Sequence, residues 1–218
     1  MIALAALDIA GTTVDEGGAV YRVLAEVVAE HGPPASDAEL RRWMGADKRA
    51  ALAALTRDPD AADGLHERFA TRLAEHYARQ PPAPFRGVPE ALASLRDAGT
   101  RVALTTGFDR RITDLLLTEV GWRVGEHLDA VVCASEVGSG RPAPDLIRRA
   151  MELTGVDDPG QVLAAGDTEL DLLAGHAAGA GEVIGVLTGA QTRAELELHR
   201  PTRILPGLAA LPEALAAR

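Results

Sequence analysis

The chain of 218 residues is poor in cysteine, because Cys133 is the only one it contains. A single cysteine excludes any disulfide within the chain and is typical of a protein kept in a reducing compartment. Cys133 lies in an apolar run, so we expect a buried thiol that packs as a small hydrophobic group. The cysteine usage therefore favours a cytoplasmic protein.

Aromatic side chains and positive charge are also scarce. Aromatic residues make up 3% of a sequence that is 47% hydrophobic, so we expect a core built mainly of alanine, leucine and valine. The 32 acidic residues outnumber the 22 lysines and arginines, which gives a net charge of −10. A protein with this charge is not expected to bind nucleic acid through a basic surface.

The N-terminal segment lacks the basic stretch of a secretion signal, and its apolar start ends at Asp8. So short an apolar stretch excludes a signal peptide or a membrane-spanning helix at this position. We therefore expect no membrane partner.

Five short apolar runs have the length of buried strands, and helical patterns lie between them. Strands that alternate with helices indicate an α/β fold, in which a parallel sheet carries helices on both faces. Ligands of such sheets bind at the carboxyl ends of the strands. The five runs are Ile2–Leu7, Val102–Thr105, Ala130–Ala134, Val162–Ala165 and Val183–Leu187.

The stretch from residue 17 to residue 84 breaks this alternation, because it contains helical patterns only. Its longest pattern covers Ala61–Arg79, and Ser36 with Glu39 forms a capping box at the start of a shorter helix. The sequence thus predicts two units. Residues 1–16 and 85–218 form the α/β core, and residues 17–84 form a small helical cap inserted after the first strand.

Polar groups follow the ends of four predicted strands. Each has an ordinary structural explanation by itself, such as a turn, a solvated hydroxyl, a surface charge or a helix start. Their shared position at one edge of a sheet makes a common site the better interpretation. The groups are Asp8 with Gly11 and Thr12, Thr106 with Gly107, Arg141, and Asp167 with Asp171.

These side chains are suited to phosphoryl transfer. A carboxylate such as Asp8 can attack phosphorus and form an aspartyl phosphate. The reaction requires the phosphoryl oxygens to be held and their charge to be neutralised, which Thr106 and the guanidinium of Arg141 can do. Polar groups of the glycine-containing turns, at Gly11, Thr12 and Gly107, are further candidates for substrate binding.

A magnesium site is predicted at the same edge. Asp8 and Asp167 offer the hard oxygen ligands that Mg²⁺ prefers in proteins. The backbone carbonyl of Ala10 can act as a ligand whatever the side chain of that residue. Asp171 follows Asp167 by one helical turn, so we expect it to face the same side and to orient that ligand.

At these positions the chain resembles the haloacid dehalogenase superfamily, whose four motifs are matched by Asp8, Thr106, Arg141 and the pair Asp167 and Asp171. The resemblance extends over essentially the whole core. It implies a Rossmann-like fold, a mobile cap and a Mg²⁺-dependent hydrolase with a small phosphorylated or phosphonate substrate. It leaves open a homodimer formed through the cap.

At two positions the chain resembles one group within this superfamily, the phosphonatase-like (phosphonoacetaldehyde hydrolase-like) group. Most members of the superfamily have a second aspartate where this chain has Ala10, and a lysine where it has Arg141. Ala10 and Arg141 are similar to that group, as is the opening motif Asp-Ile-Ala-Gly-Thr-Thr-Val-Asp at residues 8–15. The group has a lysine shortly after a Met-Gly pair, and Lys48 stands at this spacing after Gly45.

The resemblance implies that Lys48 forms a Schiff base with an aldehyde substrate and that Gly45 lies against that substrate. From the residue alone, Lys48 can also be a solvated charge at a helix start, or it can bind a substrate anion. It is the only lysine in the chain.

The chemistry gives a reason for Ala10 and Lys48 to occur together. Breaking a carbon–phosphorus bond expels a carbanion, which a single proton transfer from a carboxylic acid does not stabilise enough. A protonated imine accepts those electrons, and the amine must be neutral to form it. The principal hypothesis is therefore a phosphonate hydrolase. The alternatives are a phosphomonoesterase without the usual acid, and a phosphometabolite-binding protein without catalysis.

Overall fold

A computed structural model describes residues 1–217. Eight strands lie within these residues: β1 (Leu4–Asp8), β2 (Val14–Asp15), β3 (Ala83–Pro84), β4 (Arg101–Thr106), β5 (Ala130–Cys133), β6 (Val162–Gly166), β7 (Glu182–Val186) and β8 (Arg203–Leu205). Six of them form a parallel sheet in the order β5-β4-β1-β6-β7-β8. The predicted α/β fold is confirmed, and the five predicted runs correspond to the five longest strands.

Helices lie on both faces of this sheet and in a separate group between β2 and β3. They are α1 (Ala19–His31), α2 (Asp37–Arg42), α3 (Lys48–Thr56), α4 (Ala62–Arg79), α5 (Val88–Asp97), α6 (Arg110–Val120), α7 (Asp145–Thr154), α8 (Glu169–Ala178), α9 (Arg193–Glu197) and α10 (Leu211–Ala216). The elements β8, α9 and α10 have no counterpart in the sequence prediction, because their apolar patterns are very short.

The central strand β1 is buried on both faces, as is typical of a parallel sheet covered by helices. Leu4 and Ala6 pack in a core that also contains residues of α7 and α8. Ala5 and Leu7 point to the opposite core, which α5, α6 and the helices between β2 and β3 cover. Side chains of a strand alternate between its faces, so one all-apolar strand serves both cores.

Residues 17–84 contain α1–α4, and we call this segment the helical insertion. Its helices bury large apolar side chains, among them Phe69, Leu73 and Tyr77. The capping box at Ser36 is present, with both reciprocal hydrogen bonds to Glu39. The chain enters and leaves the insertion through the antiparallel pair β2 and β3. The division of the chain into two domains stays a prediction.

The register of the strands determines which residues meet at the carboxyl edge of the sheet. Asp8 at the end of β1 is paired with Thr105 of β4, and Leu7 is paired with Ala165 of β6. The residues that directly follow these positions therefore converge above β1. None of the helices within residues 1–217 has the length and apolar character needed to cross a membrane.

We expect the Leu104→Ala substitution to reduce the free energy of unfolding by about 2–5 kcal/mol, because Leu104 is fully buried in β4 and its truncation leaves a cavity. The matched control is Leu198→Ala, since Leu198 is 77% exposed and its loss should change stability by less than about 0.5 kcal/mol. Urea unfolding followed by circular dichroism measures both. Equal losses in the two variants would contradict this packing.

Candidate active site

Arg141 and Asp8 form a buried ion pair at the end of β1. Nη1 of Arg141 lies 2.6 Å from Oδ1 of Asp8, and both side chains are almost fully buried. Nη2 of Arg141 donates to the carbonyl and to the hydroxyl oxygen of Thr105, at 2.9 Å each. Thr105 thus fixes the guanidinium plane, and charge and hydrogen bonds compensate for the burial of the pair.

Asp171 approaches the same guanidinium from α8. Its Oδ1 lies 2.9 Å from Nη1 of Arg141, and its Oδ2 accepts hydrogen bonds from the backbone and hydroxyl of Thr168. The sequence predicts that Asp171 orients Asp167, but no hydrogen bond joins these two carboxylates in the structure. Asp171 instead caps the first turn of its own helix and pairs with Arg141. Gly166 makes room for it, because a Cβ there would stand 2.2 Å from the Asp171 carboxyl carbon.

Asp167 is held by the loop after β1 and the loop after β7. Its Oδ1 accepts the hydroxyl of Thr12 at 3.0 Å, and its Oδ2 accepts the backbone N–H of Ala190 at 2.8 Å. Gly11 has a positive φ of 89°, and a Cβ on it would lie 2.8 Å from Asp167. The hydroxyl of Thr12 therefore positions this carboxylate, whereas substrate contact by Gly11 and Thr12 stays a prediction.

Three carboxylates, those of Asp8, Asp167 and Asp171, have oxygens that all lie within 4.8 Å of one another. Burial raises the pKa of Asp8 to about 6, although Arg141 opposes this rise. Burial, followed by the charges of Asp8 and Asp171, raises the pKa of Asp167 well above its usual value. One guanidinium does not balance three buried negative charges, so this donor set fits a hard divalent cation.

Thr106 lies at the end of β4, where its hydroxyl accepts a hydrogen bond from the backbone N–H of Phe108 at 3.1 Å. It lines a cavity that Asp8, Ala10, Lys48 and Arg141 also line. The cavity measures about 20 Å³, which is room for about one water molecule. A phosphoryl group is larger than this space, so the surrounding groups must move before one can enter.

Two glycines allow the helical insertion to approach this cavity closely. A Cβ on Gly107 would stand 2.5 Å from the carbonyl oxygen of Ala46, and one on Gly45 would stand 2.6 Å from the hydroxyl of Thr168. Gly45 also has a positive φ of 79°. The backbone of the insertion thus packs directly on the core at these points. This close approach explains both glycines, and their contact with substrate stays a prediction.

Lys48 begins α3 and is turned inward, with 3% of its surface exposed. Its Nζ donates to the carbonyl of Ala46 at 2.7 Å and lies 5.5 Å from the centre of the Phe108 ring. Burial lowers the pKa of the amine to about 8, although the charges of Asp47 and Asp8 act in the opposite direction. The alternative of a solvated charge at a helix start is therefore wrong.

Three residues of the loop after β7 contribute to the site, and none of them was predicted. The hydroxyl of Thr188 donates to the carbonyl of Gly11 at 2.7 Å, and a Cβ on Gly189 would stand 2.0 Å from Asp167. Ala190 supplies the backbone N–H already described. The sequence does contain a signal for this loop, because Thr188 and Gly189 directly follow the fifth apolar run.

Residues 2–179 match the family model of haloacid dehalogenase-like hydrolases. The chain belongs to this family. A curated relative, phosphonoacetaldehyde hydrolase of Bacillus cereus (strain AH187), is 33% identical over 203 residues, which cover 84% of this chain and 74% of the relative. The chain is thus a hydrolase of the haloacid dehalogenase type with phosphonatase-like relatives, which excludes the non-catalytic alternative.

Solved structures share the fold. The phosphonoacetaldehyde hydrolase-like protein of Oleispira antarctica superimposes with a TM-score of 0.81 at 20% identity, covering 99% of this chain and 92% of that one. CbbY of Rhodobacter sphaeroides, solved with phosphate, gives a TM-score of 0.82 at 24% identity, with 97% and 96% covered. At these identities the likeness concerns the fold alone.

The Gly107→Ala substitution should loosen the contact between the helical insertion and the core, because its Cβ would overlap with backbone atoms of Ala46. Overpacking of this kind costs about 1–3 kcal/mol, so the population with an accessible Lys48 should rise roughly 5- to 150-fold. The measurement is the rate at which an amine-reactive acylating reagent modifies Lys48, read by peptide mapping.

The control for this experiment is Gly64→Ala. Gly64 lies in α4, where an added Cβ meets no atom within 4 Å, so the modification rate of Lys48 should not change. The two variants differ in the position of the added methyl group. A Gly107→Ala rate equal to that of the unchanged protein would show that the contact does not protect the amine.

Proposed function

We propose that this hydrolase cleaves the carbon–phosphorus bond of a phosphonate that carries an aldehyde, phosphonoacetaldehyde or a close relative. The observation that carries the proposal is the buried amine of Lys48, which lines the same cavity as Asp8 while Ala10 stands where an acid would be needed for an ester. The phosphonoacetaldehyde hydrolases among the curated relatives support the same substrate class.

Asp8 is the proposed nucleophile. Above about pH 6 its carboxylate is ionised, and Arg141 and Thr106 lie at the same cavity to hold the oxygens of the phosphoryl group. Attack of a carboxylate oxygen on phosphorus forms the aspartyl phosphate and breaks the bond from phosphorus to carbon. Water then hydrolyses the aspartyl phosphate and releases inorganic phosphate.

Lys48 is the proposed electron sink for the departing carbon. Its neutral amine condenses with the aldehyde, water leaves, and the resulting imine is protonated. When the carbon–phosphorus bond breaks, its electron pair moves into the protonated imine, which leaves an enamine attached to Lys48. The enamine takes up a proton to become an imine again, and water hydrolyses this imine and releases the aldehyde product. The low pKa of Lys48 supports this role, because about a tenth of the amine is neutral even at pH 7.

Mg²⁺ is the proposed cofactor, with the carboxylates of Asp8 and Asp167 and the backbone carbonyl of Ala10 as ligands and Asp171 beside them. When bound, the ion would neutralise negative charge on the phosphoryl oxygens. The buried surplus of negative charge in this cluster supports a cation of this kind. The helical insertion is the proposed cap, which opens to admit substrate and closes to bury Lys48. A cytoplasmic location and a homodimer stay predictions.

The decisive experiment incubates the protein with phosphonoacetaldehyde and Mg²⁺, measures phosphate release, and adds borohydride in a parallel sample. We expect phosphate release and an ethyl group attached to Lys48, because borohydride reduces the imine to a stable secondary amine. Lys48 is the only lysine, so peptide mapping separates this adduct from any at the N-terminal amine.

Two variants serve as controls for this experiment. Lys48→Arg keeps the positive charge but forms no imine, so it should lose both the adduct and phosphonate cleavage. Asp8→Asn should still form the imine but keep the carbon–phosphorus bond, so borohydride should leave a phosphonoethyl group, and not an ethyl group, on Lys48 without phosphate release. Phosphate release from ordinary phosphate esters, without any adduct, would instead identify a phosphomonoesterase.

The rate of imine formation should rise about tenfold per pH unit up to about pH 8 and then level off. The neutral amine is the reactive form, and burial has lowered its pKa to about 8, so deprotonation is complete at lower pH than for an ordinary lysine. Trapping with cyanoborohydride between pH 6 and pH 10 measures this profile. A rise that continues to pH 10 would mean that the amine is solvated when it reacts.

A further inference from the structure

Tyr21 lies in the first turn of α1 and stands at the boundary of two cavities. One is the small cavity lined by Asp8 and Lys48, and the other is a neighbouring cavity of about 200 Å³ between the helical insertion and the loop after β7. Tyr21, Ala10 and Asp167 line both cavities. The phenol ring therefore stands beside the position where the usual acid is replaced by alanine.

The hydroxyl of Tyr21 has no hydrogen-bond partner within residues 1–217. The other hydroxyls that line the small cavity are engaged, since Thr106 accepts from the backbone of Phe108 and Thr168 donates to Asp171. The hydroxyl of the half-buried Tyr21 is therefore free to bind a ligand that enters either cavity.

This hydroxyl is a donor and not a base. Burial, followed by the negative charges of Asp167 and Asp8, raises the pKa of Tyr21 well above its usual value, so the proton remains on oxygen throughout the working range of the protein. Nearby carboxylates do not accept this proton in the structure. A ligand with an acceptor oxygen can therefore take the hydrogen bond that Tyr21 offers.

In the proposed function, the phosphoryl half of the substrate is held by Thr106, Arg141 and the acidic cluster. The carbon-bearing half of the substrate is then left to contact Tyr21 and Lys48. We propose that, before the imine forms, the hydroxyl of Tyr21 donates a hydrogen bond to the oxygen on the carbon that Lys48 attacks, and so selects phosphonates that carry an oxygen on that carbon. This inference rests on the proposed function, which supplies the chemical class of the substrate.

Binding of two phosphonates that differ by one hydroxyl tests Tyr21 without any turnover. 2-Hydroxyethylphosphonate has the acceptor oxygen and ethylphosphonate lacks it, and calorimetry in the presence of Mg²⁺ measures both affinities. The unchanged protein should prefer the hydroxylated compound about five- to tenfold, which is the value of one net hydrogen bond. Tyr21→Phe should lose this preference and keep its affinity for ethylphosphonate.

The matched control is Tyr77→Phe. Tyr77 is the other tyrosine of the helical insertion, and its hydroxyl also lacks a partner within residues 1–217. It is fully buried and lines neither cavity, so this variant should keep the preference. Affinity for inorganic phosphate reports on the phosphoryl half alone, and it should be the same in all three proteins. Loss of phosphate affinity in Tyr21→Phe would mean a structural role and would overturn the proposal.

The outcomes separate this proposal from the proposed function. A preference that persists in Tyr21→Phe, or that is absent from the unchanged protein, overturns the role of Tyr21 even where phosphonoacetaldehyde is cleaved. A preference lost only in Tyr21→Phe, together with no cleavage of phosphonoacetaldehyde, supports the role of Tyr21 and rejects the assigned reaction.

Discussion

The ion pair between Arg141 and Asp8 is the interaction on which the rest of the site depends. It places a fixed positive charge 2.6 Å from a carboxylate that is otherwise cut off from water. Buried charges are tolerated only when they are paired and hydrogen-bonded, and Thr105 and Asp171 complete that requirement around the guanidinium. The geometry of Asp8, the proposed nucleophile, is thus set by groups from β1, β4 and α8 together.

The same pair leaves the site with a surplus of negative charge. Within residues 1–217 no cationic side chain forms an ion pair with Asp167, and its carboxylate is held by a hydroxyl and a backbone N–H instead. This neutral support orients the carboxylate without compensating its charge. The arrangement keeps Asp167 available for a cation, because a direct salt bridge would occupy the oxygens that a metal ion needs.

Much of the site could be predicted, because its residues follow strand ends and strand ends are visible as interrupted apolar runs. The contact of Thr105 with Arg141 could not be predicted. Adjacent residues of a strand face opposite ways, and the sequence does not show whether Thr105 or Thr106 meets the guanidinium. The loop at Thr188 follows a correctly predicted strand but carries no charged residue to draw attention. The inward turn of Lys48 depends on the contact between Gly107 and the helical insertion, which is a tertiary feature.

The side chain at position 10 affects the pKa of the buried Lys48. An amine that must react as a neutral nucleophile needs a low pKa, and the charges of Asp8 and Asp47 already work against this. A carboxylate at position 10 would line the same cavity and would add a further negative charge that stabilises the ammonium form. Alanine removes that charge together with the proton-transfer capacity an aspartate would supply. Within one cavity, an acid for ester chemistry and a neutral amine for the proposed imine chemistry oppose each other, because the charge of the acid would raise the pKa of the amine.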